Sequence, residues 1–555
     1  MAVENLITEH IDIWTSAEKT RSTSGRGSSK KLELYGVKKL RELILELAVR
    51  GKLVPQNPND EPASVLLERI AAEKAQLVKE KKIKKQTALP EVTEQEAPFN
   101  VPKGWEWTRL GNLSSDIHYG YTASAKPNSE GVRLLRITDI QNDKVNWETV
   151  PACDITEEKA KSYLLENDDI LIARTGGTIG KSYLVENIDL QAVFASYLIR
   201  VKRVQAVYAP FTKVFLGSQL YWKQLIENSA GTGQPNVNAT ALKQLLFIVP
   251  PFNQQKRIVA KVDELMTLCD QLEQQTEASI EAHQVLVTNL LNTLTNSADA
   301  DELMQNWARI SEHFDTLFTT EESIDQLKQT ILQLAVMGKL VPQNPDDEPA
   351  AELLKRIAED GDSPKKVRLT KPISEPEEPL TLPTGWVFTR LESIIQISSG
   401  KNLTAKKMDS NGTIPVYGGN GVTGYHSENN VSEPTIVIGR VGFYCGSVHL
   451  TPKKAWVTDN AFVTKFSHSN LNLEFLFWLL KATNLNENDS ATAQPVISGR
   501  KVYPIVVGLP PLNEQARIVA KLNELMAMCD FLKQSFSEHT STQLLLTNTI
   551  VEHAV

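Results

Sequence analysis

The sequence predicts an α+β fold, in which two mixed α/β domains are separated by long antiparallel coiled-coil helix pairs in an internal duplication with a circular arrangement. Three observations lead to this prediction. Several segments occur twice with near identity, the two blocks between them look unlike each other, and a heptad pattern of apolar residues follows each block. Self-similarity of this kind indicates that one structural plan is used twice.

The repeated segments come in the same order in both halves of the chain. Residues 47–58 read LAVRGKLVPQNP, and residues 334–345 read LAVMGKLVPQNP, with one difference. A Pro-x-Gly-Trp motif then precedes each variable block, and RIVAK follows it, at 257–261 and again at 517–521. The order is therefore short helix, variable block and long helix, and it occurs twice in the chain.

The end of the chain matches a point in its middle. Asn289, near the end of the first long helix, corresponds to Asn548, so that Val555 corresponds to a position near Asn296. We therefore expect the N- and C-terminal segments together to make one copy of what the middle of the chain supplies intact.

Apolar residues at alternating spacings of four and three predict a coiled-coil seam on each long helix. These residues are Ile258, Val262, Leu265, Cys269 and Leu272 in the first copy and Ile518, Leu522, Leu525, Cys529 and Leu532 in the second. The short helix has its own apolar stripe and ends at Gly51 or Gly338, as expected of a C-cap. Each long helix needs a partner for its stripe, and we expect an antiparallel pair with a short helix.

The variable blocks have a mixed α/β pattern. Runs of β-branched residues at 169–173 and 435–438 end in glycine-rich turns and predict strands. The repeats divide the chain into an N-terminal helical region with a linker (1–100), a first domain (101–250), a central helical spacer with a linker (251–380), a second domain (381–510) and a C-terminal helix that pairs with the N-terminal region (511–555).

Three polar segments lack a periodic pattern. Residues 79–100 and 362–379 are rich in Lys, Glu and Pro, and we interpret both as linkers, with a nucleic-acid-binding tail as the alternative. Residues 15–30 are rich in Ser, Thr and Gly, and we expect a flexible connection there.

Composition excludes several classes of protein. Hydrophobic residues make up 41% and charged residues 23% of 555 residues, a mixture that excludes collagen-like, disordered and disulfide-scaffold proteins. No apolar run reaches the roughly 18 residues of a transmembrane helix, and the first 20 residues do not resemble a secretory signal. With four cysteines the chain fits a reducing compartment, and we expect a cytoplasmic protein without membrane contact.

The charge is unevenly distributed along the chain. The net charge is -8, but residues 102–250 carry +1 and residues 383–510 carry +3, which leaves -12 on the helices and linkers. A uniformly basic nucleic-acid coat is therefore excluded, whereas local basic faces on the two variable blocks are not.

Motifs that would indicate catalysis fail in detail. Residues 174–182 (RTGGTIGKS) approach a phosphate-binding loop, but Thr175 replaces a required glycine and a strand is predicted where a helix should follow. Residues 249–252 (VPPF) approach an amino-methyltransferase motif, but Val249 cannot accept a hydrogen bond from a target amine. Cysteines and histidines lack zinc-ligand spacing. We expect neither catalytic residues nor a metal site in this chain.

Glycine-rich and aromatic turns are the remaining candidates for function. Arg174 and Arg440 each follow a predicted strand, and the sequence leaves open whether they contact a ligand or satisfy a carboxylate. Residues 118–121 (HYGY) and 417–421 (YGGNG) add Tyr and Asn to turns where a partner could approach the backbone closely. Asn, Gln, Arg and Tyr side chains can read base edges or stack on them.

The whole layout resembles the specificity subunit of type I restriction-modification complexes. The resemblance rests on the duplication, on Pro-Pro-x-x-x-Gln-x-x-Ile at the start of each long helix, and on the Pro-x-Gly-Trp and Gly-Lys-Leu segments. Further similar segments are 134–140, 229–235, 414–420, 439–446, 456–460 and 491–495. Together they cover nearly the whole chain.

The resemblance implies a DNA-binding protein that performs no chemistry itself. Each variable block would be a target-recognition domain for one half of a split, asymmetric DNA sequence. The helices would fix the gap between the half-sites and dock two modification subunits, which carry S-adenosylmethionine and adenine methylation. Two restriction subunits with ATP, Mg and nuclease activity would complete the complex.

The candidate DNA-binding residues lie in the loops of the two blocks. They are Tyr119, Tyr121, Arg174, Lys181, Gln234 and Asn236 in the first domain, and Lys401, Asn420, Tyr425, Arg440, Tyr444, Asn460 and Gln494 in the second. Arg would pair with guanine edges or phosphates, and Asn and Gln would suit adenine.

Two alternatives come from other functional classes. A self-contained, fused methyltransferase-nuclease would need a cofactor loop and an Asn/Asp-Pro-Pro-aromatic motif, and neither is present. A structural coiled-coil scaffold would not explain why the two blocks diverge while the repeats stay nearly identical.

Overall fold

The structure is a computed structural model that describes residues 3–21, 31–127, 130–229, 237–298, 300–360, 373, 381–409, 411–442, 444–485 and 496–555. It divides into two compact units. The first comprises Met1–Ser279 with His539–Val555, and the second comprises Ile280–Glu538. Both boundaries fall inside long helices. The C-terminal segment thus belongs to the same unit as the N-terminal segment, which confirms the predicted circular arrangement.

The helices run in chain order as α1 (Val3–Glu9), α2 (Ile11–Ser16), α3 (Tyr35–Val49), α4 (Ala63–Lys79), α5 (Leu110–Leu113), α6 (Glu157–Ala160), α7 (Ala209–Gly217), α8 (Gln219–Ser229), α9 (Ala239–Gln244), α10 (Phe252–Asn296), α11 (Ala300–Glu312), α12 (Phe314–Leu317), α13 (Glu321–Val336), α14 (Ala350–Glu359), α15 (Leu391–Ile394), α16 (Leu473–Ala482), α17 (Gly499–Val502) and α18 (Leu512–Ala554).

The strands are β1 (Glu18–Arg21), β2 (Lys31–Leu34), β3 (Glu106–Arg109), β4 (Ser114–Tyr119), β5 (Arg133–Leu135), β6 (Ile140–Gln141), β7 (Lys144–Val145), β8 (Ile170–Ala173), β9 (Ser182–Leu184), β10 (Ala192–Phe194), β11 (Leu198–Arg203), β12 (Leu246–Val249), β13 (Val387–Arg390), β14 (Gln396–Ser399), β15 (Ile414–Gly418), β16 (Gly421–His426), β17 (Ile436–Gly439), β18 (Val448–Leu450), β19 (Trp456–Val457), β20 (Ala461–Lys465) and β21 (Val506–Leu509).

In the first unit the short helix α3 lies against parts of both long helices. Arg41 forms ion pairs with Asp270 at 2.6 Å and Glu273 at 2.7 Å on α10. At the start of α3, the Tyr35 hydroxyl donates to Asn548 of α18 at 2.8 Å. Residues after α3 contact the beginning of α10, so the two run antiparallel, as predicted from the apolar stripes. The seam residues that face α3, from Ile258 to Cys269, are buried.

The second unit repeats this helical arrangement with the roles of the long helices exchanged. On α13, Glu322 accepts a hydrogen bond from Gln284 of α10 at 2.7 Å, and Asp325 pairs with Lys533 of α18 at 2.9 Å. Lys328, which corresponds to Arg41, pairs with Asp530. Each short helix therefore joins an antiparallel pair of long-helix segments as a third member.

Within each unit, the Gly-Lys-Leu segment packs on the Pro-x-Gly-Trp segment. Gly51 and Gly338 both end their helices with φ of +70°, a conformation that glycine adopts without strain. A Cβ atom would lie 2.6 Å from Cγ of Pro102 at the first position and 2.5 Å from Cγ of Pro383 at the second. The Gly-Lys-Leu segment is thus held against the Pro-x-Gly-Trp segment in both units, which accounts for their joint repetition.

Each variable block is built on a four-stranded antiparallel sheet, with order β4-β11-β8-β9 in the first domain and β14-β20-β17-β18 in the second. A parallel pair accompanies it, β5 with β10 or β15 with β19. A final antiparallel pair, β3 with β12 or β13 with β21, leads directly into the long helix. The mixed α/β character predicted for both blocks is confirmed.

The three polar segments have different outcomes. Residues 15–21 complete α2 and form β1, which pairs with β2, because Trp14 and Ala17 are buried and fix this segment beside α3; residues 22–30 lie outside the described residues. Residues 80–100 form neither helix nor strand, yet they pack on the first domain: the Pro90 carbonyl accepts from Arg109 Nε at 2.9 Å. Most of the second predicted linker, 362–379, lies outside the described residues.

In the described part of the chain no helix is long and apolar enough to cross a membrane.

Candidate nucleic-acid interface

The ends of the two main sheets match residue by residue, although their sequences look unlike. The Arg174 amide donates to the Tyr197 carbonyl at 3.0 Å, and the Arg440 amide donates to the Asn460 carbonyl at 2.9 Å. The register of the strands makes Tyr119 equivalent to Ser399. These matches give one common frame for both domains.

Further backbone bonds extend this frame. The carbonyls of the two arginines accept from Val237 at 3.0 Å and from Ile497 at 2.9 Å, respectively. The turn that follows each arginine closes on the preceding residue, with Gly180 N–H on the Ala173 carbonyl and Gly446 N–H on the Gly439 carbonyl, both at 2.8 Å. Equivalent turns therefore present different side chains at equivalent points.

A glycine occupies the closest approach of two strands in each domain. A Cβ atom on Gly120 would lie 2.3 Å from the carbonyl oxygens of Phe194 and Ala195. A Cβ atom on Gly400 would lie 2.3 Å from those of Val457 and Thr458. Only glycine fits such contacts, so the edge of each sheet end is fixed by backbone rather than by side-chain packing.

Neighbouring side chains and carbonyls hold both arginine side chains. The Arg174 guanidinium lies over the Tyr119 ring, 4.5 Å from its centroid, a cation–π arrangement. Arg440 Nη1 donates to Ser399 Oγ at 3.2 Å and to the Asp459 carbonyl at 3.4 Å. Both arginine residues are half-buried, so these contacts hold each side chain while part of the residue still faces solvent.

The other candidates of the first domain fall into three groups. Lys181 is exposed in the turn before β9. Tyr121 is half-buried and packs on Tyr163, with 5.4 Å between ring centroids, so part of its surface serves the core. Gln234 and Asn236 lie outside the described residues.

In the second domain most candidates are exposed. Tyr425 on β16 and Tyr444 after β17 expose 53% and 55% of their surface. Asn420, Asn460 and Lys401 are also exposed. The Asn460 carbonyl accepts from the Arg440 amide. The Lys401 amide donates to the Val457 carbonyl, three residues before Asn460, so the backbone places both candidates near Arg440. Tyr425 belongs to the other sheet, of order β16-β15-β19, and Gln494 lies outside the described residues.

The sequence did not single out Tyr197 or Ser399. Tyr197 directly precedes β11 and exposes 64% of its surface, and its carbonyl accepts from the Arg174 amide. Its neighbours, from Phe194 to Ile199, are nearly all buried. An aromatic residue inside such an apolar run is predicted from sequence to be a core residue. Ser399 is a small residue at a strand end, and only the register against β20 reveals its place beside Arg440.

A buried ion pair lies within the first sheet. Arg200 on β11 and Asp169, directly before β8, are 3.2 Å apart, and each exposes 4% of its side chain. Arg200 also donates to the carbonyls of Leu164 at 2.6 Å and Ser162 at 3.0 Å. Burial raises the pKa of Asp169, and the charge of Arg200 opposes that shift. This pair joins β11, which begins directly after Tyr197, to the beginning of β8, which ends directly before Arg174.

Burial also shifts the pKa values of two ionisable groups in the second domain. It raises the pKa of the Tyr417 hydroxyl, with a smaller contribution from Tyr425. It lowers the pKa of His449, to which the charge of Lys481 adds. All four cysteines are buried and unpaired by disulfides. Within the described ranges, no three His, Cys, Asp or Glu side chains are grouped so that they could hold a metal ion.

Comparison with known proteins agrees with this duplicated arrangement. The family described as "Type I restriction modification DNA specificity domain" matches residues 102–282 and 383–538. The chain is 39% identical to the EcoAI specificity subunit and 35% identical to the EcoEI specificity subunit of type I restriction enzymes from Escherichia coli, over all of each protein.

A solved structure shows the same fold at low sequence identity. It concerns complex assembly and conformational transition of a type I restriction-modification system, and one of its chains matches with a TM-score of 0.51 at 19% identity, over 82% of this chain and 99% of that chain. From the two matched domains and the full-length relatives, the chain belongs to the type I restriction-modification DNA specificity family.

Proposed function

We propose that each of the two domains reads one half of a bipartite, asymmetric DNA sequence, which is the detailed form of the DNA-specificity role that belongs to this family. The observation that carries the proposal is the common frame at the two sheet ends. Equivalent backbone positions carry an arginine and a close-approach glycine in both domains, whereas other equivalent positions differ, such as Tyr119 against Ser399. One frame with two sets of side chains suits two unlike half-sites.

The helical repeats have the opposite character, and this supports a role in binding two copies of one partner. Asp60 pairs with Arg257 in the first unit, and Asp347 pairs with Arg517 in the second. Because both the sequence and these contacts are repeated, we propose that the helical regions dock two modification subunits and set the gap between the half-sites. Two restriction subunits would join the same complex.

The chemistry of this complex would reside in the partners. S-adenosylmethionine for adenine methylation, and ATP and Mg for DNA cleavage, would be bound by the modification and restriction subunits. The relatives that match over their whole length are specificity subunits, and the comparisons favour neither a fused enzyme nor a scaffold. We place the complex in the cytoplasm, where reduced thiols such as the four of this chain are the rule.

Co-expression with a modification subunit of its own system tests the proposal. The mass of the purified complex gives its stoichiometry, and sequencing of modified bases in the host DNA gives the methylated motif. We expect one copy of this chain with two modification subunits, and methylated adenines in both halves of a split, asymmetric motif. A complex that methylates a contiguous motif, or none, would contradict the proposal.

A further inference from the structure

The constant and the variable positions of the common frame have different chemistry. At the constant position both domains carry an arginine, Arg174 or Arg440. The residue whose carbonyl accepts the arginine's N–H is neutral in both domains but differs, Tyr197 in the first and Asn460 in the second. DNA has the same division, since its phosphates are the same in every sequence whereas its base edges are not.

The side chain of Tyr197 is available for a partner. It exposes 64% of its surface, although the residues around it on β10 and β11 are buried. Its carbonyl is fixed by the Arg174 amide at 3.0 Å, and Leu198 begins a paired strand, so its backbone is held while the ring projects from the sheet end. Exposure of a large aromatic side chain on a rigid backbone is typical of a recognition residue.

From this correspondence we infer that Tyr197 is a specificity-determining residue of the first half-site, in the place that Asn460 occupies for the second, while Arg174 and Arg440 contact the phosphate backbone. The inference rests on the proposed DNA-reading function and assigns separate tasks within it. A phenol can donate or accept one hydrogen bond and contact a thymine methyl group with its ring, whereas a carboxamide suits the paired donor and acceptor of adenine. The different neutral residues then account for different base preferences at equivalent points.

The test uses the complex of the full chain with its modification subunits. Binding is measured by competition against duplexes in which the bases of both half-sites are varied one at a time, for the parent and for Tyr197→Ala and Asn460→Ala. Tyr197→Ala should reduce discrimination about tenfold at one or two positions of one half-site only. Asn460→Ala should do the same only in the other half-site. Each variant's unchanged half-site is the control for correct folding.

The arginine variants should respond differently. Arg174→Ala and Arg440→Ala should weaken binding to all duplexes alike, and each should reduce the slope of log affinity against log salt by about 0.9, the value for one lost phosphate contact. Tyr197→Phe, which keeps the ring, should lose only the preference that depends on the hydroxyl group.

Three results would overturn the inference while leaving the proposed function intact. They are unchanged base preference in Tyr197→Ala, equal loss of both half-sites in Tyr197→Ala, and altered base preference in Arg174→Ala without a change in salt slope. A parent complex that shows no split site at all would refute the proposed function itself, and the inference with it.

Discussion

Lys74 on α4 is an ammonium group that the fold withdraws partly from water. Its Nζ donates to Gln86 Oε1 at 3.0 Å and to the Gly111 carbonyl at 2.9 Å. Burial, with a smaller effect of the nearby Lys243, lowers the pKa of Lys74 to about 8. This residue thereby fastens the segment after α4 to the first domain, although the desolvation of its charge opposes folding near neutral pH.

The lowered pKa of Lys74 predicts a pH-dependent difference from a Lys74→Met variant. Between pH 8 and 10.5 Lys74 keeps its proton in the unfolded chain but has lost it in the folded chain. The contribution of Lys74 to the free energy of unfolding therefore increases as the pH rises. We expect the free energy of unfolding of the parent, relative to the variant, to increase by about 1 kcal/mol from pH 7.5 to 10, a value reduced for partial solvent exposure. Urea titrations at both pH values measure it, and a decrease would contradict the assigned shift.

The ion pair between Arg200 and Asp169 predicts a larger effect. Asp169→Ala would leave a guanidinium group buried without its counter-charge, and such losses cost about 3–5 kcal/mol. The matched control is Asp154→Ala, because Asp154 pairs with Lys126 at 2.5 Å with both side chains more than half exposed. We expect that control to lose less than about 1 kcal/mol in urea unfolding. Equal losses in the two variants would show that burial does not govern this pair.

Individual residues were predictable only where a pattern pointed to them. Arg174 and Arg440 could be found because each follows a β-branched run and begins a glycine-rich turn. Tyr197 could not, since it stands within an apolar run and its exposure depends on the pairing of β11 with β4 and β8. All the candidate DNA-binding residues stay predictions, and Gln234, Asn236 and Gln494 also lie outside the described residues.

At the scale of elements, the long helices owe their stability to one buried seam. Leu265 of α10 is fully buried, whereas Leu268, less than one turn further along, exposes 47% of its surface. The two leucines therefore make a matched pair on one helix with the same change of side chain.

We expect Leu265→Ala to reduce the free energy of unfolding by about 2–5 kcal/mol, because it removes buried methyl groups and leaves a cavity. Leu268→Ala should change it by less than about 0.5 kcal/mol, since the lost side chain is half in water and alanine favours the helix. Urea unfolding monitored by helical circular dichroism measures both. Similar losses at the two positions would argue that the seam does not face the short helix.

The helices could be predicted from sequence with more detail than the sheets. A heptad pattern extends over many residues, so the four-three spacing from Ile258 to Leu272 was sufficient to predict α10 and its buried face. Strands such as β5, β10 and β19 have only two or three residues. Such short strands form because of tertiary pairing rather than local preference. The common sheet order of the two domains was hidden for the same reason.

At the scale of the whole molecule, the repeated contacts explain how one chain supplies two similar units. Lys52, after α3, donates to the Val555 carbonyl at 2.5 Å in the first unit. Lys339, after α13, donates to the Thr295 and Ser297 carbonyls at 2.9 Å in the second. The last residue of the chain thus takes the place that the middle of the chain takes in the other unit, as the sequence alignment of Val555 with Asn296 predicted.

The central claim is that the two domains are independent readers on one repeated frame. A chain in which residues 101–250 are replaced by a second copy of residues 381–510 tests it most directly, because the flanking repeats are nearly identical and offer the same junctions. The measurement is the methylated motif of host DNA after co-expression with the modification subunit. We predict a split motif whose two halves are both the half-site of the second domain. Retention of the parental asymmetric motif would contradict the account.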